Sequence, residues 1–134
     1  MKHFELEPGM LTMRGVFYPT GYIFALFPSE QDAREAQQLL QDHGTQGESL
    51  SLLTPQDILE KVAPTAGHPE DHLPSPGTEA QTAQRFGELA RQGHHALLIH
   101  APSQKETTHV MDTLKDTKVS LAEKYRQLVI EDLA

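Results

Sequence analysis

Eight histidines are the residues of this chain that most obviously offer chemistry. The chain has no cysteine, so any metal would fall to imidazole and carboxylate. Thiolate zinc, the usual iron–sulfur centres, disulfides and a cysteine nucleophile are excluded. His68 and His72 stand four apart with Glu70 and Asp71 between them. On a helix that spacing turns two ligands toward one metal, but Pro69 and Pro74 break the segment. His94, His95 and His100 bracket a short apolar run, and His109 lies just beyond a Pro102-Ser103 turn. A metal-dependent or acid–base enzyme would draw on His94, His95, His100 and His109 with a nearby carboxylate. His100 and His109 can meet only if the helix after the turn folds back over the strand end. The plainer reading is a set of strand-end imidazoles hydrogen-bonded to backbone or water.

Nucleophile patterns are missing. There is no Gly-x-Ser-x-Gly, no phosphate loop and no Gly-x-Gly-x-x-Gly. Ser29 and Ser103 sit at sharp strand-to-helix turns, but both read better as helix caps, and neither has flanking glycines. The most distinctive stretch is aromatic: Gly15-Val16-Phe17-Tyr18-Pro19-Thr20-Gly21-Tyr22. Tyr18 to Gly21 fits a type I turn, proline second and glycine fourth. The three aromatics beside it either plug the edge of the core or wall a pocket or interface, because tyrosine combines an apolar body with a polar tip. Phe17, Tyr18, Tyr22 and, near the C-terminus, Tyr125 are therefore the ligand or interface candidates.

These residues need elements to hold them. Tyr22 to Phe27 reads as a strand. Ser29-Glu30-Gln31-Asp32 follows as a helix start, with Ala33, Ala36, Leu39 and Leu40 at helical spacing and Gly44 as terminator. Leu50 to Leu53 reads as a second strand, and Thr54-Pro55-Gln56-Asp57 starts another helix. Residues 64–77 hold four of the nine prolines and form a surface loop within a single α/β domain of 134 residues. A helix follows with Ala83, Phe86, Leu89 and Ala90 on one side, then a strand over His95 to His100, then a helix from Ser103. The tail from Val119 to Ile130 fits either state; strand is preferred. Shifted by 74 residues, Pro28-Ser29 falls on Pro102-Ser103, consistent either with a duplication or with the ordinary grammar of strand-to-helix turns.

Two β-α-β units imply an α+β, ferredoxin-like sandwich with two extra helices between its second and third strands. A small open parallel sheet is the alternative. The strands over 22–27 and 95–100 are apolar on both faces, so both faces need cover. A ferredoxin-like plan puts helices on one face only. The extra helices or a second copy of the chain must cover the other, which makes a homodimer an expectation.

Composition narrows the partners. Leu, Ile, Val and Phe supply 31 of 134 residues, enough for a folded core. The net charge of −8 disfavours nucleic acid, and only Lys115, Lys118, Lys124 and Arg126 approach a basic cluster. The start, Met1 to Pro8, lacks the build of a signal peptide, and no apolar run nears the ~18 residues of a membrane span. The expectation is a cytoplasmic protein without cofactor, nucleic acid or membrane.

Phe17-Tyr18-Pro19-Thr20-Gly21-Tyr22, Phe27-Pro28, Leu52-Leu53-Thr54-Pro55, Lys124-Tyr125 and Val129-Ile130-Glu131-Asp132-Leu133 together resemble a family of small bacterial proteins of unknown function. The β-α-β architecture is also similar to the ferredoxin-like domains of general stress proteins. Neither resemblance brings a functional residue. The combined expectation is a non-enzymatic domain of bacterial style, acting by self-association or small-ligand sensing, with a stress role implied by the second resemblance.

Overall fold

The computed structural model describes residues 2–12, 15–66, 78–127 and 129–134. The two strands that are apolar on both faces lie side by side in the middle of one sheet. Its strands are β1 (Lys2–His3), β2 (Tyr22–Phe27), β3 (Leu50–Leu53), β4 (His95–His100), β5 (Leu121–Tyr125) and β6 (Ile130–Asp132). They are arranged β1-β3-β4-β2-β5-β6. Only the two-residue β1 pairs in parallel, with β3; every other neighbour is antiparallel. The protein is thus a mixed α+β fold on an open, mainly antiparallel sheet.

Each helix begins where the local sequence demands it. In α1 (Glu30–Asp42), the Ser29 hydroxyl accepts the Asp32 amide and donates to the Asp32 carboxylate. Its other end closes on Gly44 at φ +101°, with the Thr45 amide reaching back to the Leu40 carbonyl at 2.9 Å. A left-handed residue is needed there, and glycine adopts that conformation without strain. Thr54 and Asp57 form a reciprocal capping box at α2 (Pro55–Asp57), which runs on through a π-helical stretch, Ile58–Val62, and a 3-10 turn, Ala63–Ala66. Next come α3 (Thr78–Arg91) and α4 (Gln104–Leu114), the latter capped by Ser103 and Glu106 in a second reciprocal box.

The helices split between the two faces. Ile23, Ala25 and Phe27 of β2, with Leu97 and Ile99 of β4, pack under Ala33, Ala36 and Leu40 of α1 and Val110 and Leu114 of α4. Phe24 and Leu26, with Ala96 and Leu98, face Ile58 and Val62 and then Ala83, Phe86 and Ala90 of α3. Phe24 and Phe86 stack at 4.1 Å and 10°. The inserted helices therefore cover the second face from within the chain, and the bare sheet that motivated a face-to-face dimer is not there. Gly87 permits this closeness, since a Cβ at its position would lie 3.0 Å from the Ala63 Cβ.

Two expectations need adjustment. The aromatic turn is shifted by one residue. The Tyr22 amide donates to the Pro19 carbonyl at 3.1 Å, and Gly21 is third in the turn at φ +85°, a type II pattern. The Gly21 amide is drawn instead to the Tyr125 carbonyl, 2.8 Å away. The tail is a hairpin rather than one strand: the Arg126 amide donates to the Val129 carbonyl at 2.9 Å, and the chain returns as β6. Most of the proline-rich loop, with His68 and His72, lies outside the described residues. Among the described residues no helix is long and apolar enough to cross a membrane.

If α3 covers the sheet as described, Phe86→Ala removes its central plug and lowers stability by about 3–5 kcal/mol. Urea denaturation measures this. A loss under 1 kcal/mol would mean that Phe86 does not pack on Phe24.

Candidate functional site

The main site candidate lies where β4 ends and α4 begins. After His100 the chain turns through Ala101-Pro102-Ser103, held by the Ala101 amide on the Gly21 carbonyl at 3.0 Å. Beneath the turn is Lys124, only 2% exposed. Its ammonium donates to the Ala101 carbonyl and, at 2.5 Å, to the Thr107 hydroxyl. Thr107 is itself buried, its hydroxyl within 3.0 Å of the Ser103 carbonyl and 3.2 Å of the Ala101 carbonyl. A buried ammonium must be compensated by such acceptors. Burial pushes the Lys124 pKa down and nearby Arg126 adds to this, while Glu106 and Glu131 hold it up. Lys124 thereby ties β5 to the turn.

Around the turn is a cavity of about 520 Å³, lined from α4 by Ser103, Lys105, Glu106, His109 and Val110, from β4 by His100, and from the α1–β3 connection by Gly44, Thr45, Gln46 and Ser49. The His109 Nε2 reaches the His43 carbonyl at 2.8 Å, joining α4 to the end of α1 across this region. The His100 ring packs against Tyr22, with centroids 4.8 Å apart. Glu106 is held below the usual carboxylate range, first by the Ser103 hydroxyl and further by the Ser103 amide, His100 and Lys124. The wall thus carries two imidazoles, an ammonium and one ionised carboxylate already engaged in its cap.

The structure separates His94 and His95 from this place. His94 and His95 stand at the opposite end of β4, about 17 Å away for a strand of this length. The His94 ring bridges the Leu89 carbonyl and the Ser120 hydroxyl, both at 3.1 Å. His95 contacts the Gly93 carbonyl at 3.2 Å and lies 3.7 Å from Glu30. Of the four candidate histidines, His100 and His109 line this cavity and His94 and His95 do not, and among the described residues no three His, Asp or Glu side chains form a metal-holding group. Both serines spend their hydroxyls on caps.

The aromatic candidates divide likewise. Phe17 and Tyr125 are fully buried, stacked edge-on at 5.9 Å. Tyr18 lies at the rim, 4.9 Å from Tyr125, and its hydroxyl donates to the Arg126 carbonyl at 2.5 Å. It also lines a second hollow of about 440 Å³ with Thr12, Thr20, Glu79 and Gln127. The Tyr125 hydroxyl is buried and, among the described residues, has no hydrogen-bond partner. Burial, then Glu123 and Tyr18, drive its pKa well above the usual tyrosine value.

Sequence reasoning missed Lys124 and Glu123. In a strand of alternating character, charged residues read as solvent-facing, yet Glu123 is 8% exposed. The signal was indirect: a short run with Leu121 and Tyr125 on one face leaves Glu123 between them on that face.

No protein-family model, curated protein or solved structure matches this chain.

Tyr125→Phe removes a buried hydroxyl that has no partner among the described residues and should raise stability by about 1 kcal/mol, whereas Tyr18→Phe breaks a made bond and should lower it by about 1 kcal/mol. Paired urea titrations check the contrast; equal effects of the two changes would contradict it.

Proposed function

We propose that this protein is a non-enzymatic binding domain that takes a small anionic ligand, a carboxylate or phosphate compound, in the cavity between the end of α1 and the start of α4. The observation that carries this reading is the meeting of His100, His109 and Lys105 around one cavity of about 520 Å³. Pockets for small molecules commonly have such volumes. A capped helix start alone would not suffice, because Ser29 and Thr54 open helices of the same kind. What distinguishes α4 is the cavity, with two imidazoles and an ammonium against a single carboxylate. Binding ranks ahead of catalysis because Ser103 and Glu106 satisfy one another. It ranks ahead of self-association because helices of the chain itself cover both sheet faces.

The fold proposed beneath this function is ferredoxin-like. Counting β2, β3, β4 and β5 as first to fourth, the sheet runs second, third, first, fourth, with antiparallel neighbours. In each of the segments β2-α1-β3 and β4-α4-β5, the two strands run parallel with one strand between them, and α1 and α4 share a face. That supports a split β-α-β repeat, with the second helical layer an addition between its halves.

Titrating the ¹⁵N-labelled protein with inorganic phosphate and with succinate should move the amides of Thr45, Ser49, Lys105 and His109 together and saturably. Lys105→Ala combined with His109→Ala should weaken binding at least fivefold, at a stability cost of about 1 kcal/mol because His109 gives up its bond to the His43 carbonyl. Shifts that are non-saturable for both probes, or unaffected by the double change, would refute the site.

A further inference from the structure

The β5–β6 hairpin carries opposite charge logic on its two faces. In its register Lys124 stands opposite Glu131, and Glu123 opposite Asp132. The first pair is ammonium against carboxylate, reinforced by Arg126, whose guanidinium lies 2.9 Å from Glu131. The second sets carboxyl against carboxyl, which weakens a strand pair when both are ionised. The Leu133 amide donates to the Ala122 carbonyl at 2.9 Å, as does the Arg126 amide to the Val129 carbonyl. Those bonds mark the hydrogen-bonded positions of the ladder, so Glu123 and Asp132, one step from Ala122 and Leu133, form a close, non-hydrogen-bonded pair.

We propose that Glu123 and Asp132 form a proton-sensitive latch, closing the β5–β6 hairpin when the pair holds a proton and loosening it when the pair is fully ionised. Glu123 is nearly buried, on the face that packs toward α3, beside Leu121 and Tyr125. Phe24, opposite it on β2, has no charge to offer. Among the described residues Arg85 of α3 is the one cation acting on it; Asp132 of β6 opposes ionisation, and Tyr125 on its own strand is neutral. Burial first and Asp132 second push Glu123 up to about 7 from an ordinary 4.5, against the pull of Arg85. The other face stays attached throughout by the Arg126–Glu131 ion pair. The latch therefore tunes the hairpin without dissolving the sheet, and its opening bares the backbone edge of β5.

The sign follows from the raised value. Closing takes up a proton between the open and closed pKa values, so closure is strongest below about 4.5, weakens as pH rises to about 7 and is level above it. Hydrogen exchange at the Leu133 amide, corrected for intrinsic chemistry, should show protection falling about tenfold or more from pH 5 to 7 and flat from 7.5 to 8.5. Carbon-detected NMR should place the Glu123 titration near neutrality. Glu123→Gln should abolish the fall. Asp132→Asn, at an exposed position, should lower the Glu123 midpoint and shrink the fall, which keeps the test valid if Glu123→Gln does not fold. Titration of Glu123 in the ordinary carboxylate range, or an undiminished fall in either folded variant, would overturn the latch.

Discussion

The rest of the molecule follows from β2 and β4 lying side by side with apolar residues on both faces. A sheet of that kind cannot leave either face to water, because each exposed Phe, Leu or Ile would forfeit its burial energy, on the order of 1.5–3 kcal/mol. The helices of the two β-α-β units supply one cover, α1 and α4. The other has to come from the segment between β3 and β4, and its sequence provides Ile58, Val62, Ala83, Phe86 and Ala90 for that purpose. The aromatic chain of Phe4, Phe17, Tyr125 and Tyr18 extends this second core toward the edge carrying β5. Residues that suggested a binding surface are thus partly consumed in completing the fold.

With both faces filled, the cavity of about 520 Å³ lies at the end of β4 and the turn that leaves it. At the β4–α4 turn three constraints coincide. Ser103 and Glu106 fix the helix start, Lys124 ties the turn to β5 from below, and His109 reaches the end of α1. The cavity is held by elements fixed for structural reasons, as precise positioning of polar groups requires. Lys124 connects that cavity to the C-terminal hairpin, because the strand that brings its ammonium to the turn also sets Glu123 against Asp132.

The element pattern was largely legible in the sequence, since capping residues and apolar periodicity act locally. Ser29, Thr54 and Ser103 each begin a helix, and the runs at 22–27, 50–53 and 95–100 are strands with the bounds their composition implies. The extra helices were legible as elements and as one of two possible covers for the second face; the choice between them and another copy was not, because apolar residues on a sheet face do not say which segment packs on them. The turn at Pro19 was misplaced by one residue because Gly21 satisfies its amide on Tyr125, a partner more than a hundred residues away in sequence. His100 and His109 were visible as a conditional pair. The burial of Lys124 and Glu123 was hidden, since alternation identifies the two faces of a strand and not what covers each one.

The most direct test is an isotope-filtered NOE experiment on a sample mixed from labelled and unlabelled protein. It reads whether Phe24 touches Phe86 of its own chain or of another. The fold described here predicts strong intramolecular contacts between the two rings and no intermolecular contact to Phe24. Intermolecular contacts to Phe24, with the intramolecular ones missing, would mean that another copy supplies the second cover, and the account of this sheet would be wrong.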